Sequence, residues 1–392
     1  MKYLNYTTGC NMSEWKEYKL GDISKKIVSG GTPKSSISAY YDGNIPWLNT
    51  KEIDFNRIVS TERCITELGF ENSSAKWIPR GSVIVAMYGA TAGKVAYSKI
   101  DLTTNQACCN LIIEKEKADP EYVYYYLMSS YDKLSNLACG AAQQNLSVGV
   151  ISDFPILLPL IEEQKRIAGV LSSLDDKIDL LNRENATLEA LAETLFRHYF
   201  IENPDPTWTE GKLENVVEVL DYRRKPLSKM ERDKMKNGNI LYPYYGAAEI
   251  MDYIDDYLFD GEYILLGEDG TVRTDDGHPI LQLATGKFWP NNHAHVLKAK
   301  EPFNNCFLWY YFKTSNIDEI VTGAVQPKIN QANLMSLPIY EYPTELIKGF
   351  QNVANPLWNK IKSNRQQIQN LAALRDILLP RLMSGEVKVP GQ

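Results

Sequence analysis

Apolar positions spaced four and three residues apart form the clearest pattern in the chain. In IEEQKRIAGVLSSLDDKIDLLNRENATLEALAETLFRHYF they fall on Ile167, Leu171, Leu174, Ile178, Leu181, Asn185, Leu188, Ala192 and Leu195. This is a coiled-coil seam sustained over about four heptads. Adding 183 to each number lands on a second seam: Phe350, Ala354, Leu357, Ile361, Asn364, Ile368, Leu371, Arg375 and Leu378. Each seam carries one asparagine, and a polar residue there weakens pairing but selects its register. An antiparallel pair with Asn185 opposite Asn364 also sets Leu181 against Ile368, Ile178 against Leu371 and Leu171 against Leu378. An intramolecular antiparallel coiled coil is therefore expected. The alternative is that each helix packs on its own domain or pairs between copies.

Outside the seams, SVIVAMY, NLIIE and YILLG read as strands, while EYVYYYLMSSYDKL reads as a helix. Gly30-Gly-Thr-Pro33 and Asp42-Gly43-Asn44 mark turns. Self-similarity then organises these pieces. WKEYKLGDI at 15–23 recurs as WTEGKLENV at 208–216, YVYYYLMSS at 122–130 as FLWYYFKTS at 307–315, and GAAQQNL at 140–146 as GAVQPKI at 323–329. Each copy closes on a proline-bounded strand-like piece, DFPILLPL or SLPIYEYP, just before its long helix. The chain divides accordingly into a first domain (13–160), a first long helix (161–201), a second domain (202–342) and a second long helix (343–386), with ENPDPTW at 202–208 as the joint.

Composition narrows the function classes. With 392 residues and 44% hydrophobic content the chain can bury a sizeable core. Its longest nearly apolar run, FPILLPLI, is far short of the ~20 residues that span a bilayer. The opening MKYLNYTTGCNMSEWK lacks an apolar export segment, so a cytoplasmic protein is expected. Six cysteines without a C-x-x-C pair fit reduced thiols. The formal net charge of −7 argues against a nonspecific nucleic-acid coat but leaves room for a local basic face.

Enzyme constellations fall short. GATAGK at 89–94 has three residues between its glycines and a valine after its lysine, whereas a Walker loop needs four and a Ser or Thr for magnesium. NPDP at 203–206 and NPLW at 355–358 lack the acidic-or-Asn-Pro-Pro-aromatic loop of DNA methyltransferases and read as turns beside helices. His293 and His295 alternate along a strand-like run but have no third ligand, so no metal site is assigned. Gly267-Glu-Asp-Gly270 reads as a turn.

The remaining polar loops suit DNA, because Asn, Gln, Arg and Lys read base edges while Ser, Thr, Lys and backbone amides hold phosphates. Candidates in the first copy are Thr32, Lys34, Asn49, Lys51, Tyr88, Thr91, Lys94, Asn105, Gln106, Gln143, Gln144 and Asn145. The second copy offers Arg223, Arg224, Lys225, Tyr244, Tyr245, Arg273, Lys287, Asn291, Asn292, His293, Gln326 and Lys328. Gly93-Lys94 and Gly286-Lys287 read as corresponding phosphate contacts, and Gln143 and Asn292 as base contacts.

SGGTP with IPWLNTKEI, the YGATAGKV…NQ run, LPLIEEQKRIAGVLSSLDDKIDLLN, and YYGAAEI…YLFDGEYILLGEDG…NNHAHVL resemble the DNA-specificity subunits of type I restriction-modification systems over nearly the whole chain. The resemblance implies an α+β fold: two pseudo-two-fold-related α/β target-recognition domains separated by two long antiparallel coiled-coil helices. It also implies a noncatalytic subunit that binds double-stranded DNA at a bipartite site and docks two modification (adenine methyltransferase) subunits. S-adenosylmethionine, ATP and magnesium are then expected on partner subunits, with no cofactor in this chain. Whether a restriction (translocase and nuclease) subunit joins stays open. A helix of ~33 residues spans ~50 Å and one DNA turn advances roughly 34 Å, so helix length would set the spacer. The competing reading is a coiled-coil protein scaffold without DNA specificity.

Overall fold

The computed structural model describes residues 15–139, 145–323 and 325–390. Two compact units emerge, one comprising Met1–Leu180 with Gln367–Gln392 and the other Leu181–Gln366. Among the described residues no helix is long and apolar enough to cross a membrane.

The first unit is built on five strands: β1 (Ser24–Ser29), β2 (Asn56–Ile58), β3 (Val83–Ala86), β4 (Val95–Ser98) and β5 (Cys108–Ile113). They lie in the order β1-β5-β3-β4-β2. Pairing is antiparallel except between β2 and β4, which run parallel. Every residue of VIVA in β3 is buried, as a central strand covered on both faces requires. Helix α1 (Pro120–Ser129) starts at Asp119, whose side chain accepts the Tyr122 amide, and it lays Tyr122, Tyr124 and Tyr125 into the core. The long helix α2 (Ile161–Phe200) begins in this unit.

The second unit repeats the plan with β6 (Val217–Val219), β7 (Tyr242–Tyr245), β8 (Ile250–Ile254), β9 (Phe259–Gly267), β10 (Leu281–Pro290) and β11 (Ala294–Ala299). Their order is β6-β11-β9-β10-β7-β8, and β7 with β10 is again the parallel pair. Strand β8 is an addition at the edge. Helix α3 (Asn305–Thr314) is capped by Asn304 through the Phe307 amide, as Asp119 caps α1. The second long helix is α4 (Thr344–Met383); like α2 it has 40 residues.

Two short antiparallel ribbons tie the start of each repeat to its end. Lys16–Lys19 pairs with Pro155–Leu158, and Glu210–Lys212 with Pro338–Tyr340. These are the repeated WKEYKL and WTEGKL segments meeting the proline-bounded strands that precede each long helix.

Within each unit the long helices run antiparallel. In the second unit Asn364 donates from Nδ2 to Asn185 Oδ1 at 2.9 Å, and Ala192 and Phe196 share a core with Phe350, Ala354 and Trp358. In the first unit Arg375 meets Asp175 at 2.9 Å, and Leu171 packs with Leu378 and Leu379. One correction concerns NPLW: Asn355 and Pro356 lie inside α4 rather than in a turn, with Asn355 Oδ1 accepting from Asn304 Nδ2 at 2.9 Å.

Strand β9 bends. Arg223 donates to the Leu258 carbonyl at 2.9 Å and its neighbour Arg224 bonds Glu268 at 2.7 Å, so consecutive side chains reach both ends of the strand. A straight strand rises about 3.4 Å per residue, which would put those ends out of reach. Gly261 (φ 138°) faces Gly286 (φ 71°) toward the open end of the hairpin, and both occupy the positive-φ region that glycine tolerates.

Candidate nucleic-acid interface

Four loops of the first unit converge at the end of β3 through backbone hydrogen bonds. Met87, the residue after β3, donates to the Ala107 carbonyl at 2.8 Å and accepts from the Leu146 amide at 3.0 Å. Gly30 donates to Cys108 at 3.2 Å and Gly31 to Thr104 at 2.8 Å. The paired glycines are needed for that approach, since a Cβ on Gly30 would lie 2.2 Å from Thr104 and one on Gly31 2.2 Å from Ala75. Around this junction Thr32, Tyr88, Gln106 and Asn145 are exposed. The Thr32 hydroxyl bonds Gln106 Oε1. The Asn105 side chain accepts the Ala107 amide at 3.1 Å, an Asx turn that presents Gln106 outward.

The second unit builds the same junction from three of its loops, the segment after β6 turning as a 3-10 helix instead (Asp221–Arg223). Register makes the match: Ala86 pairs with Cys108 in the first sheet, and Gly267 with Ala294 in the second. Glu268, in the place of Met87, donates to the His293 carbonyl at 2.8 Å and accepts from the Ile329 amide at 2.8 Å. Asn291 repeats the Asx turn of Asn105, accepting the His293 amide at 2.8 Å and leaving Asn292 exposed where Gln106 stands. Lys328 occupies the place of Asn145, and Asp269 that of Tyr88. The backbone is conserved between the copies while the outward side chains differ.

The family described as "Type I restriction modification DNA specificity domain" matches twice, over residues 12–190 and 206–343. The chain belongs to this family. It is 29% identical to the type I restriction enzyme MjaIX specificity subunit of Methanocaldococcus jannaschii, across 96% of this chain and 94% of that one. A putative type I specificity subunit from Haemophilus influenzae is 36% identical over 39% of this chain and 38% of its own. In fold, the chain is similar to the crystal structure of a type I restriction-modification S subunit from M. genitalium, with a TM-score of 0.60 at 16% identity and 99% coverage of both chains.

In the specificity domains the glycine-lysine motif GATAGK closes a β hairpin. Lys94 leads into strand β4 rather than into a helix, so the loop does not open a helix as the nucleotide-phosphate motif requires. Gly89 (φ 77°) and Gly93 (φ 84°) shape the turn, with Thr91 between them. Lys94 pairs with exposed Asp54 at 2.6 Å and keeps a quarter of its side chain in solvent, so a phosphate can exchange for that carboxylate. Lys287 is not its counterpart. Val95 pairs with Val85 where Leu281 pairs with Leu266, so Lys94 matches Ile280; Lys287 lies inside β10 opposite Asp260. Its ammonium sits 4.4 Å from the Tyr257 ring and 5.7 Å from Tyr242.

Burial removes several sequence candidates from direct contact. Tyr244 is 1% exposed and its hydroxyl accepts the Leu227 amide; Tyr245 is buried, which pushes its phenol up to about 12. Asn291 is 3% exposed and spent on its turn, and Asn105 does the same work in the first unit. Asn49 forms a capping box with Glu52. Their polar atoms serve the backbone, which the loop composition alone did not distinguish from reading DNA. Lys51 pairs with Glu62 and Arg273 with Asp318, all at the surface. Lys34, Lys225 and Arg223 are exposed, Arg223 lying 4.3 Å over the Phe259 ring. Gln143 and Gln144 lie outside the described residues.

Beneath the second junction lies a network that the sequence reading did not assemble. Arg224 bonds Glu268 at 2.7 Å, the Ala294 carbonyl at 2.7 Å and the Asn292 carbonyl at 3.3 Å, and approaches Asp221 at 3.3 Å. His295, 1% exposed, contacts Asp221 at 2.6 Å through Nδ1 and the Ile329 carbonyl at 2.9 Å through Nε2. Asp221, Glu268 and His295 cluster within 4.8 Å, yet the guanidinium of Arg224 occupies the cationic position between the carboxylates. His293 turns away to Asp269 at 2.7 Å, so the two histidines do not share a face. The Asx turn bends the chain before β11 begins, which breaks the strand alternation.

Proposed function

We propose that this chain is the sequence-specific DNA-recognition subunit of a type I restriction-modification enzyme. Each domain reads one half of a bipartite target, and the chain docks two adenine-methyltransferase subunits. The subunit is noncatalytic. S-adenosylmethionine, ATP and magnesium belong to its partners, including a restriction subunit where one joins.

One observation carries this reading: the same junction of three loops, around Met87 in one unit and Glu268 in the other, occurs in both units with different side chains facing outward. Tyr88 is replaced by Asp269, Gln106 by Asn292 and Asn145 by Lys328, on matching backbone hydrogen bonds. A conserved scaffold with altered hydrogen-bonding groups is what reading two different half-sites demands, because phosphate contacts position a protein and base-edge contacts specify the sequence.

The test compares genome-wide adenine methylation in cells expressing the modification subunit with and without this chain. A split motif that appears only with the chain is the expected result. A stable complex that yields no motif would withdraw the DNA-reading role in favour of a protein scaffold.

A further inference from the structure

Most polar side chains at the two junctions already have work. Asn105 and Asn291 make the Asx turns, Arg224 holds Glu268 and two carbonyls, His293 pairs with Asp269, and Lys328 reaches Glu268 at 3.3 Å. Among the exposed carboxamides there, which include Asn145 and Gln326, two are set apart by their position after an Asx turn. Gln106 and Asn292 are exposed, each directly follows an Asx-turn asparagine, and strand register puts them at the same place in the two repeats. Gln106 uses one lone pair of Oε1 on the Thr32 hydroxyl, which leaves the second lone pair and the amide NH2 outward. Asn292 has no side-chain hydrogen bond among the described residues, and its backbone carbonyl is held by Arg224 at 3.3 Å.

We propose that Gln106 and Asn292 are the matched base-reading residues of the two domains, one for each half-site, and that the base each prefers is adenine. A carboxamide offers one acceptor and one donor side by side. Adenine presents the complementary pair, N6–H and N7, on its major-groove edge. Rigid presentation is the second requirement, since a base contact made by a freely swinging side chain loses its discrimination to ordering entropy. At both positions a turn closed by the preceding asparagine fixes the backbone; Thr32 also holds the Gln106 side chain, while Arg224 holds Asn292 by its carbonyl and leaves its short side chain outward. Thr32 and Arg224 come from the segments that follow the first strand of each sheet, at equal residue count from Ile27 and Val219, although Asp221–Arg223 is a 3-10 turn where Gly30 and Gly31 bond Cys108 and Thr104. Thr32 and Arg224 are accordingly positioning residues, acting through the carboxamides.

This assignment rests on the DNA-recognition reading, and the experiment separates the two. The full chain assembled with its modification subunit is given a randomised duplex library, and preference is scored position by position for wild type, Gln106→Ala and Asn292→Ala. The expected result is that each variant loses discrimination by roughly 10- to 100-fold at one adenine of one half-site, with the other half-site and the melting temperature unchanged. Thr32→Val should relax the same position as Gln106→Ala, only more weakly. Uniform weakening across all sequences, unchanged preference, or relaxation at a base other than adenine would each overturn the assignment. A wild-type complex with no sequence preference would instead defeat the recognition role itself.

Discussion

In the first unit, Arg57 reaches from β2 to Asp176 at 2.6 Å and Asp179 at 2.5 Å on the long helix α2. In the second, the polarity is reversed: the corresponding helix α4 supplies the cation, Lys362, and β9 supplies the anion, Glu262. Lys362 stands in α4 where Asp179 stands in α2. A neighbouring pair of positions differs in kind. Asp175 and Arg375 form an ion pair at 2.9 Å, and Asp175 also accepts the Tyr125 hydroxyl at 2.6 Å. Their counterparts are Trp358 and Ala192, with Trp358 packed against Trp309 at 5.6 Å and Tyr310 at 6.3 Å. Burial and the Asp175 charge push the Tyr125 phenol far above its usual range, so it stays a donor. The lesson concerns specificity. Two copies of one fold share a backbone plan, yet each sheet is keyed to its own helix, because Arg57 set against a lysine or Glu262 against aspartates would repel.

The comparison can be broken most severely at Trp358. Replacing it with alanine empties the aromatic cluster and should cost about 3–5 kcal/mol. Hydrogen exchange should show the loss in residues 181–366 with the first sheet still protected. Second in size is Asp175→Ala, which strands the Tyr125 hydroxyl, leaves Arg375 only Asp376 and should cost about 2–3 kcal/mol in a denaturant titration. Transplanting the other unit's solution, Asp175→Trp with Arg375→Ala, should be milder than the two single losses added together. Strict additivity would show that the positions are not coupled.

Charge reversal tests the keys themselves. Lys362→Glu should destabilise the second unit by about 1 kcal/mol, and adding Glu262→Lys should recover most of it; no recovery would argue that geometry rather than charge matters there. Changing Asn185 and Asn364 together to leucine should raise stability by about 1–2 kcal/mol while increasing self-association measured by sedimentation. The smallest effect belongs to Lys94→Ala. It should leave folding and sequence preference alone and reduce the salt slope of DNA binding by about one.

Much of the helical architecture was legible beforehand. The seam at spacings of four and three survives packing because a helix repeats its faces regardless of what lies against them, and its buried positions include Leu171, Leu181 and Ala192. The repeat was visible through WKEYKL and WTEGKL for the same reason: both copies need the ribbon that joins start to end. Loop chemistry was less legible. Asn105, Asn291 and Asn49 carry the same carboxamide as Asn292, and only backbone placement shows that the first three close turns or caps while the last faces outward. Lys94 and Lys287 follow glycines alike, but strand register separates them. Asp221 carried no sequence signal, since the chain between it and His295 is long and their contact is made across paired strands.

The sequence alone determined the duplicated plan, the long helices and the asparagine in each seam, because periodicity and self-similarity are local properties of the chain. Only the tertiary structure decided which polar residues are spent and which remain available. That depends on hydrogen bonds between segments far apart in sequence, and a buried polar group must find its partner before it can serve anything else.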